Sequence, residues 1–173
     1  MNELIPTYME VIAENFPELN ASSAGDGTIY SSIVVDGALV PAQADLDPLV
    51  RTMTQQRVWK AIQVEREVRS QQGGYKVGAN WYHSDQTSRT QQIALVILGA
   101  NLPAGIMWKT MAGNFVTMTP TLASQIFQTA VGSDQAIFGR AEQHRAAMMG
   151  AAIPHLYDFS SGWPQTYEES LVV

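Results

Sequence analysis

Residues with the chemistry to act on a substrate are few and scattered. His83, Ser84 and Asp85 stand together and have the residue types of a nucleophilic triad. Triad members must converge in space, and three consecutive residues at a strand-to-helix junction point different ways. Ser84-Asp85 reads instead as a helix N-cap, and His83 as a satisfied surface histidine. His144 and His155 lack the HxxxH-type spacing that puts two metal ligands on one helix face. Gly73-Gly74-Tyr75-Lys76-Val77-Gly78 resembles a phosphate loop only in its glycines, because Ala79-Asn80 stand where Lys and Ser or Thr are needed. Glu168-Glu169 has the residue type for acid–base work, but an adjacent pair on a tail makes no cleft and reads as a solvated end. No catalytic, cofactor-binding or metal-ligating residue is assigned, and the expectation is a protein that is not an enzyme.

The aromatic residues admit two readings. Trp59, Trp81, Trp108 and Trp163, with Tyr75, Tyr82 and Phe115, form either a sugar-stacking surface or the cement between a small sheet and its helices. Core packing is the expectation for Trp81 and Trp108, because strands this short need large side chains. Met107, Met111, Met118, Met148 and Met149 read as core filler. Arg66 and Arg69 are expected to pair with acids such as Glu65 or Asp85.

These groups are positioned by the stretch from Gln55 to Ala100. Val58, Ala61, Ile62, Val64 and Val68 recur at helical spacing, and Gly73-Gly74 ends that helix. Tyr75–Val77 and Trp81–His83 read as two short strands around Gly78-Ala79-Asn80. Gln86 to Gly99 reads as a capped helix with an apolar second half, Ile93 to Leu98. Upstream, Leu4 to Asn15 suits a helix stopped at Phe16-Pro17, and Asn20 to Gly27 a loop. Thr28 to Val35 reads as a strand, with Asp36-Gly37 turning it into Ala38-Leu39-Val40. Gln43 to Leu46 makes a short turn, and Asp47-Pro48 opens the long helix. Downstream, Ile106–Thr110 and Phe115–Met118 form a second hairpin, and Thr119-Pro120 starts a helix running to about Met149, kinked at Gly132-Ser133-Asp134. Asn80 to Asp85 and Asn114 to Thr119 share one plan: a turn Asn, an aromatic opening a strand, then a cap. The fold class expected is α+β, with helices packed on a small antiparallel sheet built from short hairpins, plus an extended N-terminal arm. The divisions are 1–50 (acidic arm), 51–157 (α+β domain) and 158–173 (aromatic, acidic tail).

Composition narrows the classes. The chain has 173 residues, no cysteine and a net charge of −6, which excludes disulfides, zinc–thiolate sites and thiol nucleophiles. Its start carries no basic stretch, which argues against a signal peptide, and its longest apolar run is too short for a bilayer. Residues 1–50 hold eight acids and no Lys or Arg, whereas 51–150 hold ten bases and five acids. Either the acidic arm docks on the basic middle, in its own subunit or a neighbour, or three solvated surfaces never meet. An acidic chain without a Lys/Arg cluster is a poor nucleic-acid binder.

One module stands out in the run Val58–Arg69. It goes on through Gly74-Tyr75-Lys76-Val77-Gly78, Trp81–Asp85, Ser88-Arg89, Gln91-Gln92, Gly99–Pro103 and Trp108–Met111. It resembles a domain of unknown function found in tail and tail-fibre-associated proteins of tailed bacteriophages and prophages, over about residues 55–163. Tyr157-Asp158-Phe159 and Gly162-Trp163-Pro164 lie at its end, and Leu39–Asp47 is similar to a segment common just before such domains. The family offers no established catalytic residues, so none is carried over. The resemblance implies a structural part of the virion tail, in the baseplate or fibre-attachment region, made in the bacterial host cytoplasm. It implies equally a tail-fibre assembly chaperone. A carbohydrate-binding module using the tryptophans is the third reading. Expected partners are other tail or fibre proteins and further copies of the chain in a trimer or ring, with the first 50 residues as the attachment. Nucleic acid and membrane insertion are not expected.

Overall fold

The computed structural model describes residues 4–172. Its contacts divide the chain inside two helices. One compact unit holds the residues up to Ile62 with Arg145–Phe159, and the other holds Gln63–His144 with the residues from Ser160 on. The two long helices, α2 (Gln43–Gln72) and α4 (Pro120–Gly150), each contribute to both units.

In the first unit, α1 (Tyr8–Asn15) starts later than Leu4 because Thr7 caps it. The Thr7 hydroxyl accepts the Glu10 N–H (3.1 Å), and the Glu10 carboxylate accepts the Thr7 N–H (2.7 Å). The helix ends at Phe16, ahead of Pro17, as expected. The hairpin runs the opposite way from the sequence expectation. Strand β2 (Ile33–Val35) pairs backwards with β1 (Ala21–Ser23), which lies in the stretch read as a loop, and Ala38–Val40 forms no strand. Ile33 and Val35 face the core while Val34 faces water, so β2 needs only a backbone partner, and a polar segment supplies it. Asn20 clamps the far end of that pair. Its carbonyl accepts the Asp36 N–H (3.0 Å), and its amide donates to the Asp36 carboxylate (2.9 Å). Helix α2 runs unbroken from Gln43 through Pro48, where one backbone bond, to Ala44, is lost. Val11, Ile12, Ile33, Leu46 and Met53 form this unit's core, so the first 50 residues carry apolar side chains that close on each other. The Arg57 guanidinium donates to Glu10 (2.7 Å), and the acidic arm thereby meets a base of its own chain.

In the second unit, the hairpin β3 (Tyr75–Val77) with β4 (Asn80–Tyr82) turns on Gly78-Ala79. Its two faces meet different neighbours. Tyr75 and Tyr82 sit opposite each other on the face that packs with Met118, Ala123, Ile126 and Ala130. Trp81, on the other face, is closed over by Tyr167 of the C-terminal segment, ring centroids 6.1 Å apart. Asp85 caps α3 (Gln86–Leu98), and Thr119 caps α4 through the Leu122 N–H (3.1 Å). The second hairpin, β5 (Met107–Lys109) with β6 (Phe115–Thr117), completes an α+β unit of helices packed on hairpins. The two hairpins keep separate two-stranded ladders. They touch where the Met111 N–H donates to the Trp81 carbonyl (2.9 Å). Gly74 makes that approach possible: at φ +77°, a Cβ there would run into the Met111 sulfur. Val64 and Val68 face solvent on α2, and Ile93, Ile97 and Leu98 are exposed on α3, with Ile97 at 79%.

Truncating Trp81 to alanine should remove roughly 3–5 kcal/mol of stability, the range for a buried large aromatic. Denaturant unfolding of the full chain measures it, and a loss under about 1 kcal/mol would mean that Tyr167 does not seal this face.

Candidate functional site

The structure gives His83, Ser84 and Asp85 three different tasks. Asp85 is the cap: its carboxylate accepts the Ser88 N–H (3.0 Å) and hydroxyl (2.6 Å), which hold its pKa below the ordinary aspartate value. Ser84 is not part of the cap. Its buried hydroxyl accepts the Gly74 N–H (3.0 Å) and ties the end of α2 to the hairpin. The His83 carbonyl accepts from the buried Gln92 amide (2.9 Å), and its ring lies at the edge of a groove.

Glu168 and Glu169 also part ways. Thr166 and Glu169 form a second capping box at α5 (Tyr167–Ser170), and Glu169 pairs with Arg69 at 2.8 Å, so the expected solvated end is in fact a fastened one. Arg69 also binds Glu65 (2.6 Å) and the Pro164 carbonyl (3.1 Å), and lies 5.4 Å from the Trp163 ring. Trp163 is 9% exposed and sits against the buried His144, whose Nε2 lies 3.1 Å from the Ser161 carbonyl. Gly162 lies so close to the Arg140 guanidinium that a Cβ there has no room, and Arg140 donates to the Ser161 carbonyl (2.9 Å). Residues 160–172 are thus a strap held by Arg69, Arg140, His144 and a Tyr167 N–H bond to the Gly73 carbonyl (2.8 Å).

The densest polar cluster joins residues that no sequence spacing relates. Arg89 of α3 grips both carboxylate oxygens of Asp134 on α4 (2.5 and 3.0 Å). It also donates to the Ser70 carbonyl (2.6 Å) at the end of α2 and to the Ser84 carbonyl (2.6 Å). The expected Arg69–Glu65 pair is present at helical spacing, while Arg66 stacks on Phe138 (4.4 Å) instead of pairing with an acid. Beside the cluster, burial pushes the Tyr75 phenol up to about 12, and its hydroxyl finds no protein partner among the described residues. Apart from the Tyr75 hydroxyl, the polar groups of this cluster bond to one another and join α2, α3 and α4.

One open feature of the second unit is a groove of about 430 Å³ between α3 and the second hairpin. Ser88 and Gln91 of α3, with His83, form one side, and Ile106 to Lys109 with Phe115 form the other. Met107 and Phe115 are 52% and 63% exposed. Lys109 is the charged side chain of the lining and makes no ion pair among the described residues. Sequence reading missed this groove because its walls are 15 to 32 residues apart, and Met107 and Phe115 read as core.

Among the described residues no His, Cys, Asp or Glu group is placed to hold a metal, and no helix is long and apolar enough to cross a membrane. The fold and these surfaces define a small α+β protein of two units organised by long helices. Residues 53–161 match the family described as Domain of unknown function (DUF4376), and the chain belongs to that family. Neither the curated proteins nor the solved structures returned a match to it.

Two outcomes are expected. Asp134→Asn should lose about 1.5–3 kcal/mol, the scale of hydrogen bonds to a charged partner, on chemical unfolding. Arg69 lowers the pKa of Glu169, so the strap gains stability above the free glutamate pKa and loses it as pH falls through the lowered value. The protection factor of the Tyr167 amide, taken against the intrinsic exchange rate at each pH, should therefore fall on acidification from about pH 5, and Glu169→Gln should flatten that dependence.

Proposed function

We propose that this chain is a structural component of a tailed-phage virion, in the tail, baseplate or fibre-attachment region, where it holds neighbouring tail proteins together. The observation that carries the proposal is the sequence resemblance over about residues 55–163, which coincides with the matched family region, 53–161. Exposed Ile97, Met107 and Phe115 supply apolar surface of the kind that protein partners cover. The proposed partners are other tail or fibre proteins and further copies of the chain, in a trimer or ring, with assembly following synthesis in the host cytoplasm. The acidic N-terminal region is a weaker attachment device than its charge suggests. Arg57, Arg69 and Arg89 are already paired with acids of their own unit, which leaves a neighbouring copy fewer cations to offer it.

An assembly chaperone for the tail fibre is the second reading, because exposed apolar faces serve transient binding equally well. A tryptophan sugar platform is the weakest. Trp81 and Trp163 are buried and Trp59 lies under Arg145, which leaves Trp108 beside the groove.

Quantitative mass spectrometry of purified virions and of the lysate distinguishes the first two. Copies in fixed ratio to known tail proteins are expected. Presence in the lysate with absence from the particles would overturn the structural role in favour of the chaperone.

A further inference from the structure

The β5–β6 ladder leaves a row of backbone groups unused. In an antiparallel pair, residues that exchange hydrogen bonds alternate with residues that do not. Here the Met118 N–H donates to Ile106 and the Thr110 N–H to Asn114, both at 2.8 Å, and Trp108 lies opposite Val116. The bonded pairs are therefore 106/118, 108/116 and 110/114. The N–H and C=O of Met107 and Lys109 point away from β6, and β5 has no second strand beside it among the described residues.

The groove lies along that edge. Ile106 and Trp108 project from the inner face of the hairpin, Met107 and Lys109 from the outer, yet all four line one depression. Four successive residues facing α3 place the depression along the side of this strand, and Phe115, opposite Lys109, borders it from the outer face of the hairpin. Ser88 and Gln91, a helical turn apart on α3, form the facing wall.

We propose that the groove between β5 and α3 binds an extended segment of another polypeptide, which joins β5 as a third strand. Donors and acceptors at alternate residues along a strand edge match the backbone of another strand, and neither a sugar nor a nucleic acid repeats them at that spacing. The four lining residues 106–109 span about 13 Å, so roughly four residues of the partner are held. Met107, Trp108 and Phe115 receive its apolar side chains, and the unpaired Lys109 selects an acidic residue among them. This goes beyond the virion reading: the groove can fail while the protein is still a tail part, and the converse.

The test uses the isotopically labelled full chain and a capped hexapeptide that alternates Val with Thr and carries one Glu. Amide shifts should gather at His83, Ser88, Gln91 and residues 106–109, and exchange at the Met107 and Lys109 amides should slow about tenfold at saturation. A hexapeptide N-methylated at alternate residues should not bind, because it cannot pair with the edge. Met107→Pro removes an outward N–H and no ladder bond, and should weaken binding about tenfold or more while the melting temperature holds. Lys109→Glu should weaken the Glu peptide and spare its Lys counterpart. No shifts at millimolar peptide, equal binding of the N-methylated peptide, or shifts elsewhere on the chain would each overturn the proposal. Should Met107→Pro fail to fold, the N-methylated peptide on the native chain decides.

Discussion

The guanidinium of Arg89 is where three helices of the second unit, α2, α3 and α4, meet. It satisfies the Ser70 carbonyl, one of the last four of α2, which would otherwise lack a partner inside its helix. It takes the Ser84 carbonyl at the start of α3 and both oxygens of Asp134 on α4. A partly buried charge with these bonds is tolerated only while all its partners stay in place, because removing one strands the rest away from water. The same grip accounts for the continuity of α4. Asp134 follows Gly132-Ser133 and has the type of an N-cap, but its carboxylate is committed sideways to Arg89 and the helix continues unbroken through the position.

Each ladder has strands of three residues, too short to stand in water unaided. Each therefore leans on something else. The first unit's pair uses β2 as a one-sided apolar face. The β3–β4 pair is covered on both faces, by Tyr75 and Tyr82 below and by the strap on Trp81 above. The β5–β6 pair is covered on one face only, which is why Met107 and Phe115 on its outer face stand exposed.

Local features were legible in the sequence and distant pairings were not. The caps at Asp85 and Thr119, the helix end at Gly73-Gly74 and both hairpins of the second unit follow from neighbouring residues, and the structure has them. The first hairpin went astray because Asp36-Gly37 is a strong turn signal, while the true partner of β2, Ala21-Ser22-Ser23, carries no apolar pattern to announce it. Val64 and Val68 show the limit of helical periodicity, which finds an apolar face without finding what covers it. The strap was invisible for a similar reason: its aromatic and acidic residues looked like an end in solvent until Arg69, about a hundred residues away, was placed beside them.

The surplus of acids over bases has a colloidal consequence. Arg57, Arg69 and Arg89 are each matched by a carboxylate, and 16 acids against ten bases leave the chain at −6. Copies approaching one another in dilute buffer meet like charge, and that repulsion decays over the Debye length, about 8 Å at physiological ionic strength. Added salt shortens its reach and leaves apolar contact unscreened, so ionic strength favours association of this protein where it would dissolve a complex built on opposite charges.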